Sequence, residues 1–175
     1  MKAAIICAPG LEECEALITY DLLFRSQIDV KLVGLEKEIT SSHNVTLKTD
    51  LTIDELDYEN YDCLILPGGL PGTNNLEANE NVQKLIDYFV SNNKYVAAIC
   101  AAPSILAHKG LLIDNEFTCF PGAVKELKSN NKKAHTYNKI ITGKGMGATF
   151  EFAYEIIKAL KDEATAKEVL ERIQY

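Results

Sequence analysis

The sequence is short of the features that mark several common classes of protein. Its 18 basic residues include only two arginines, Arg25 and Arg172, and its formal net charge is −7. Nucleic-acid binders gain much of their affinity from cationic side chains that neutralise phosphates, so this balance argues against nucleic acid as a partner. The scarcity of arginine also removes the forked donor that holds a phosphate at two points.

Long apolar runs are missing as well. The longest, residues 95–103, is roughly half of the ~20 residues that a membrane-spanning helix requires. The apolar run near the N-terminus is broken at Pro9 and Gly10, which makes it too short for a secretory signal. We therefore expect a cytoplasmic protein that does not enter a membrane.

Cysteine and histidine are too few and too scattered for a disulfide framework or a structural zinc site. There are five cysteines, no two of them in a CxxC pair, and three histidines. The glycine-rich nucleotide motifs are absent, and the GKGMG segment at residues 143–147 predicts a tight turn packed near another backbone. We expect neither a metal nor a cofactor.

Short apolar runs alternate with segments of helical periodicity along most of the chain. The apolar runs predict buried strands at residues 2–8, 30–35, 61–66, 95–99 and 139–142. The periodic segments predict helices at residues 13–26, 82–90, 100–108, 152–160 and 166–173. Strands without polar alternation, separated by helices, predict a flavodoxin-like three-layer α/β sandwich, with a mainly parallel sheet and helices on both faces.

Two segments do not fit this alternation. Residues 41–49 alternate in polarity, which is typical of a short strand or a hairpin. Residues 128–138 are rich in Lys and Asn and form the most loop-like part of the chain. The four lysines between Lys125 and Lys133 could form a basic patch, but the composition favours a solvated loop.

Cys100 is the strongest candidate for a chemical role. It stands where an apolar strand turns into a helix, a place where a strained backbone can present a nucleophile. The N–H groups of the following helix would lower the pKa of the thiol from ~8.5 to roughly 3.5–7.5. The small Ala98, Ala101 and Ala102 would leave room beside it. The alternative is a buried, inert cysteine.

Glu15 is the second candidate. It opens the first predicted helix, where a carboxylate suits the helix dipole, so helix capping or solvation is the alternative interpretation. This helix start also lies at the strand ends, where function gathers in such sheets. A carboxyl there could share a proton with a thiol, and the two groups would titrate as a unit. The N–H groups of Gly68 and Gly69 could line an oxyanion site with that of Ala101, or form a plain turn.

These residues resemble the ThiJ/PfpI superfamily, and within it the branch of the parkinsonism-associated protein deglycase. The resemblance covers essentially the whole chain and rests on four segments: GLEECEAL (10–17), LPGG (66–69), AAICAAPSILAH (97–108) and TGKGMGATFEFA (142–153). It implies one class I glutamine-amidotransferase-like domain over residues 1–175 that forms a homodimer. It also implies Cys100 as an easily oxidised nucleophile, Glu15 as its hydrogen-bonding carboxyl, and an oxyanion held by the N–H groups of Gly69 and Ala101.

The chain departs from the family pattern at several positions. Ala101 stands where the peptidase and chaperone branches carry a histidine, so a Cys–His peptidase triad is not predicted. Phe120 stands where the deglycase branch often has a histidine, which weakens any mechanism that needs this imidazole. The family's arginine after the second strand is replaced near His43, and this replacement weakens the case for an anionic substrate. His108 is interpreted as structural. Cys119 is either a small buried hydrophobe or a thiol that resolves an oxidised Cys100.

Three hypotheses for function follow. In the first, the Cys100 thiolate adds to small 2-oxoaldehydes such as methylglyoxal, and Glu15 moves protons between adjacent carbons to give lactate, as in a glutathione-independent glyoxalase; related deglycase chemistry would use the same adduct. In the second, Cys100 is a redox sensor that is oxidised to a sulfinate. In the third, the protein is a chaperone-like interaction module, whose function would survive loss of the thiol.

Overall fold

A seven-stranded sheet runs through the centre of the computed structural model, which describes residues 1–175. Across the sheet lie β5 (Leu51–Thr52), β2 (Asp29–Gly34), β1 (Lys2–Cys7), β6 (Cys63–Leu66), β7 (Tyr95–Ile99), β9 (Ile140–Gly143) and β8 (Ala134–Tyr137). All are parallel to their neighbours except β8, which pairs antiparallel with β9 at the edge. A separate antiparallel hairpin consists of β3 (Glu38–Thr40) and β4 (Thr46–Lys48).

Six helices cover the two faces of the sheet. They are α1 (Glu13–Arg25), α2 (Gly72–Ala78), α3 (Glu80–Ser91), α4 (Pro103–His108), α5 (Thr149–Leu160) and α6 (Glu163–Arg172). The apolar faces of α1, α5 and α6 belong to one buried cluster, and those of α2, α3 and α4 to a second. Alternate residues of the central strands contribute to the two clusters, so the sheet is buried on both faces.

Local chemistry explains several of the element boundaries. In β1 every residue after Lys2 is buried, which is typical of a central parallel strand. The Asn79 side chain accepts hydrogen bonds from the N–H groups of Asn81 and Val82 and so caps α3. Asp162 caps α6 in the same way by accepting from the N–H of Thr165.

The predicted flavodoxin-like sandwich is confirmed, and most of the predicted strand and helix positions agree with the structure. The segment 41–49, predicted as a strand or hairpin, contains only β4, since β3 precedes it, and the two-residue strand β5 was not predicted. Residues 128–138 were expected to be a loop, but Ala134–Tyr137 form the edge strand β8. An edge strand pairs on one side only and is half exposed, so its polar composition hides it from a search for buried runs. The short helix α2 was also missed, because Pro71 precedes it, Gly72 begins it, and only Gly72, Thr73 and Leu76 are buried.

The topology places four loops at one edge of the sheet. The carboxyl ends of β1, β6, β7 and β9 all lie there because these strands are parallel. The segments that follow them begin at Ala8, Pro67, Cys100 and Lys144. None of the helices combines the length and the apolar character that crossing a membrane requires.

Candidate active site

A cleft of about 560 Å³ opens at this edge of the sheet. Cys100 and Glu15 both line it. The remaining lining residues are Glu12, Phe120, Pro121, Lys133, Lys144, Gly145, Met146, Gly147 and Ala148. Residues from the ends of three strands and from the loop before β8 therefore meet in one cavity, as expected for the strand ends of a parallel sheet.

Cys100 occupies a bend that its neighbours hold in place. Its φ of 64° is in the left-handed region, which non-glycine residues rarely adopt, and agrees with the predicted strained backbone. Its N–H donates to the Gly143 carbonyl at 3.0 Å, and its own carbonyl accepts from the Phe120 N–H at 2.8 Å. The side chain is half-buried and reaches the cavity. Cys100 is therefore not fully buried, as the alternative interpretation required, and its reactivity stays a prediction.

The carboxyl of Glu15 lies inside the protein beside this thiol. Glu15 is in the first turn of α1 and is only 1% exposed, so it neither faces solvent nor caps the helix. Its Oε2 accepts a hydrogen bond from the Gly68 N–H at 2.8 Å. Its Oε1 is buried and accepts no hydrogen bond of normal geometry. The neighbouring side chain that acts to lower the pKa of this carboxyl is that of Cys100. A buried oxygen left in this way favours the protonated carboxyl.

Burial raises the proton affinity of both groups, and Glu15 raises that of Cys100 further. Burial raises the pKa of Glu15 to about 7, against the opposing effects of the Gly68 N–H and the Cys100 thiol. Burial, the charge of Glu15 and the hydrogen bond with Glu15 raise the pKa of Cys100 to about 12, while the N–H groups of Gly69 and Ala101 lower it. The expected lowering of the thiol pKa by a helix N-terminus is thus wrong while Glu15 is ionised. One reason is that α4 is only six residues long and starts at Pro103.

The pair is best described as a unit that holds one proton between sulfur and carboxyl. Two of the three effects that raise the pKa of Cys100 act through Glu15. When the proton moves to Glu15, its charge disappears, and the N–H groups of Gly69 and Ala101 then face a thiolate. Proton transfer within the pair therefore produces the nucleophile without a net change in buried charge.

The turn after β6 contacts both Glu15 and Cys100, but only some of its N–H groups are free to face an oxyanion. Gly69 has a φ of 87°, and its N–H, like that of Ala101, points at the sulfur closely enough to lower the thiol pKa. Gly68 was also predicted to line an oxyanion site, but its N–H is already engaged by Glu15. A Cβ on Gly68 would lie 2.7 Å from the Cβ of Cys100, so glycine is required there for close approach.

Other candidates of the sequence analysis lie outside the reacting pair. Cys119 is buried in the cluster on the face opposite to the one against which Cys100 packs, so the structure favours the small buried hydrophobe over a resolving thiol. Phe120 lines the cavity, and no histidine does. His108 contacts Glu77 at 2.5 Å, away from the cavity.

The sequence analysis missed the basic side of the cavity. Lys133, predicted to belong to a solvated loop, lines the cavity and forms an ion pair with Glu151. Lys144 lines it too, and a Cβ on the adjacent Gly145 would lie 3.9 Å from Cys100 Sγ. The GKGMG segment was predicted to be a tight turn packed near another backbone. It instead contains the last residue of β9, a bend and the start of a 3-10 helix at Met146, and it packs against side chains. A Cβ on Gly143 would lie 2.8 Å from Ile99 side-chain atoms. The position of Lys144 just after a predicted strand was the sequence signal that could have placed it at the cavity.

One cluster near the cavity has the residue types of a metal site. Ligand atoms of Glu12, Glu13 and His43 lie within 4.8 Å of one another. The His43 ring already contacts Glu13 Oε1 at 3.0 Å and Glu12 Oε2 at 3.8 Å, and it is largely exposed. An ordinary ion-pair cluster has the same geometry, and we assign no metal to it.

Comparisons with known proteins agree with this fold. The model of the DJ-1/PfpI family matches residues 1–159. The Protein dj-1beta of Drosophila melanogaster is 32% identical over 175 residues, which cover 96% of this chain and 94% of that protein. Among solved structures, a mutant of a DJ-1 superfamily protein from Salmonella typhimurium is similar with a TM-score of 0.92 at 31% identity, covering 99% of this chain and 98% of that one. The oxidized DJ-1 of Toxoplasma gondii is similar with a TM-score of 0.93 at 28% identity and the same coverage.

Proposed function

Since this chain belongs to the DJ-1/PfpI family, we propose that it is a cofactor-independent cysteine enzyme that converts small 2-oxoaldehydes, such as methylglyoxal, to 2-hydroxy acids. The observation that carries the proposal is the buried Glu15 carboxyl beside a thiol at a strained bend, an arrangement that allows the two groups to exchange a proton. A deglycase activity on glycated amines or thiols would use the same nucleophile.

The first step forms a carbon–sulfur bond. The thiol proton of Cys100 passes to Glu15, and the thiolate adds to the aldehyde carbon of methylglyoxal. The aldehyde oxygen becomes an alkoxide, which the N–H groups of Gly69 and Ala101 can stabilise. Return of the proton to this oxygen gives a neutral hemithioacetal, and Glu15 is again a carboxylate.

The second step moves hydrogen between the two oxygen-bearing carbons. Glu15 removes the proton from the carbon attached to sulfur, and the electron pair passes to the adjacent carbonyl oxygen to give an enediolate. The hydroxyl proton on the first carbon passes to the oxygen of the second carbon, and Glu15 returns its proton to the second carbon, which gives a lactoyl thioester on Cys100. Water hydrolyses the thioester to lactate and restores the thiol, so the overall reaction consumes one water and no oxidant. A base with a pKa near 7 suits both proton transfers.

The proposal is tested by lactate production from methylglyoxal without glutathione. We expect turnover by the wild type and none by Cys100→Ser, because an alcohol at that position stays protonated. Glu15→Gln should lower kcat/KM by about two to four orders of magnitude, which is typical of a lost general acid–base. Cys14→Ser is the matched control, since Cys14 is half-buried but does not line the cavity. Lactate formation at the wild-type rate by Cys100→Ser would end the proposal.

A second candidate function is redox sensing. It is favoured by the half-exposed sulfur of Cys100, the two N–H groups that face it, and the similar Toxoplasma protein described as oxidized. Two equivalents of hydrogen peroxide would oxidise the thiolate first to a sulfenate and then to a sulfinate, releasing one water each time. Gain of two oxygens at Cys100 by mass spectrometry, with no turnover of methylglyoxal, would select this function over the enzyme.

Assembly and compartment are part of the same proposal. Leu17 and Phe24 on α1 are 38% and 65% exposed, and apolar side chains in one surface patch favour a homodimer, as the family implies. The thiol chemistry needs a reduced Cys100, which is the state that the cytoplasm maintains. We therefore propose a cytoplasmic homodimer.

A further inference from the structure

The proposed reaction makes no use of the two lysines that line the cavity. In strand order, Glu12 and Glu15 follow β1, Cys100 follows β7, and Lys144 follows β9. Lys133 precedes β8, and its carbonyl accepts the Lys144 N–H at 2.8 Å. The sulfur therefore lies between an acidic side and a basic side of the same cavity. The charge on the basic side of the cavity is opposite in sign to the net charge of −7 of the whole chain.

The two lysines differ in what neutralises them. Lys133 is held by Glu151, whose Oε1 also accepts a hydrogen bond from the Tyr175 hydroxyl at 2.5 Å. Lys144 is half-buried and has no carboxylate within ion-pair distance and no side-chain hydrogen bond. It is therefore the cation of the cavity whose charge remains available. An ammonium without a carboxylate partner gains more from binding an anion than one that is already paired does.

Neither lysine is among the groups that shift the pKa of the reacting pair. The pKa of Cys100 is shifted by burial, by Glu15 and by two backbone N–H groups. The side chain of Lys144 lines the same cavity as the sulfur, and the backbone next to it approaches the sulfur closely at Gly145. This is the arrangement expected for a group that binds the far end of a molecule whose carbonyl is at Cys100.

On the basis of the proposed function, we propose that Lys144 selects 2-oxoaldehydes that carry a carboxylate at the end remote from the aldehyde. One unpaired ammonium balances one negative charge, which fits a carboxylate better than a phosphate dianion. Glu12 and Glu15 repel an anion on the other side of the sulfur, so they also orient such a substrate with its tail towards Lys144. The chain has no arginine near His43 that could bind an anion, and Lys144 supplies that function instead.

The first test compares two substrates that differ in one charge. These are 4,5-dioxopentanoate, which the reaction would convert to 2-hydroxyglutarate, and its uncharged amide. The measured quantity is the ratio of kcat/KM for the acid to kcat/KM for the amide. We expect the wild type to prefer the acid and Lys144→Met to lose about tenfold of that preference, as for a charge-assisted hydrogen bond. Lys144→Arg should retain most of it.

The matched control is Lys161→Met, which removes the same charge at the opposite end of α5 from the cavity. The ratio should be unchanged in this variant, because long-range attraction by net charge is screened. A ratio that falls equally in Lys144→Met and Lys161→Met, or that stays constant in both, overturns the inference.

A second test needs no turnover and separates this inference from the proposed function. Iodoacetate and iodoacetamide alkylate the same thiol and differ in charge. Their rates at Cys100 are followed on the peptide that contains it, so that Cys14 does not interfere. The ratio of the iodoacetate rate to the iodoacetamide rate should fall severalfold in Lys144→Met and not in Lys161→Met. If it falls while no oxoaldehyde is turned over, the proposed function fails and the anion site stands; if it does not fall, the anion site fails.

Discussion

Replacing Glu15 by Gln should change how the stability of the protein depends on pH. The carboxyl is 1% exposed, and burial raises its pKa from 4.5 to about 7. The proton affinity of the folded state is then higher than that of the unfolded chain. The associated stabilisation is fully present below pH 4.5 and is lost as the pH rises through about 7. A shift of this size corresponds to about 3 kcal/mol, taken as an upper value because the thiol can take over part of the charge.

The measurement is the free energy of unfolding in urea at several pH values between about 3 and 8, with the thiols kept reduced. Gln has the shape of Glu and retains an acceptor for the Gly68 N–H, but it cannot ionise. We expect the two proteins to have similar stability at pH 4.5. The variant should become more stable than the wild type by up to about 3 kcal/mol at pH 8.

Glu13→Gln is the control of opposite sign. Burial acts to raise the pKa of Glu13, but hydrogen bonds from its own N–H and from His43 outweigh it, so the pKa is lowered. Its contribution to stability is present above pH 4.5 and is lost as the pH falls through the lowered value. The reasoning about Glu15 is refuted if wild type and Glu15→Gln give parallel profiles across the whole range, since the buried carboxyl would then ionise without cost.

Three further variants test the packing around the pair and the proposed assembly. Gly68→Ala would place a methyl 2.7 Å from Cys100 Cβ and should cost about 1–3 kcal/mol in urea unfolding and abolish turnover; wild-type behaviour would contradict the requirement for glycine. Gly145→Ala would place a methyl at an ordinary 3.9 Å from the sulfur, so the unfolding free energy should stay within about 0.5 kcal/mol while bulky oxoaldehydes lose more kcat/KM than methylglyoxal. Leu17→Glu should convert the proposed dimer to a monomer in analytical ultracentrifugation, and an unchanged mass would place the interface elsewhere.

The parts of the fold that the sequence predicted are those that local pattern determines. The strand from residue 95 to residue 99 was predicted with its observed bounds, because a run buried on both faces of a sheet is apolar at every position. The edge strand at 134–137 could not be found in this way. Its formation depends on pairing with β9 rather than on its own composition.

The candidate site shows the same division between local and non-local information. The bend at Cys100 was predictable because a strand, a small-residue segment and a helix follow one another in the sequence. The pairing of Glu15 with a thiol was also predicted, because the helix that carries Glu15 starts at the same strand ends. The upward shift of the thiol pKa was not, since it depends on burial and on the charge of Glu15, which is 85 positions away and buried by tertiary packing. The role of Lys144 depends likewise on strand order, because β9 must lie next to β7 for its last residues to reach the sulfur.

The absence of an imidazole from the cavity makes the burial of Glu15 the central property of the proposed enzyme. With Phe120 in the cavity, Glu15 is the side chain placed to take the thiol proton. It must also remove a proton from carbon and return it, which a carboxyl of ordinary pKa does poorly near neutral pH. Burial raises its pKa towards 7 and so fits it for both transfers, at a cost to folding when it ionises. Glu15→Gln should therefore be both the more stable and the less active protein at pH 8, a combination that a purely structural carboxyl would not produce.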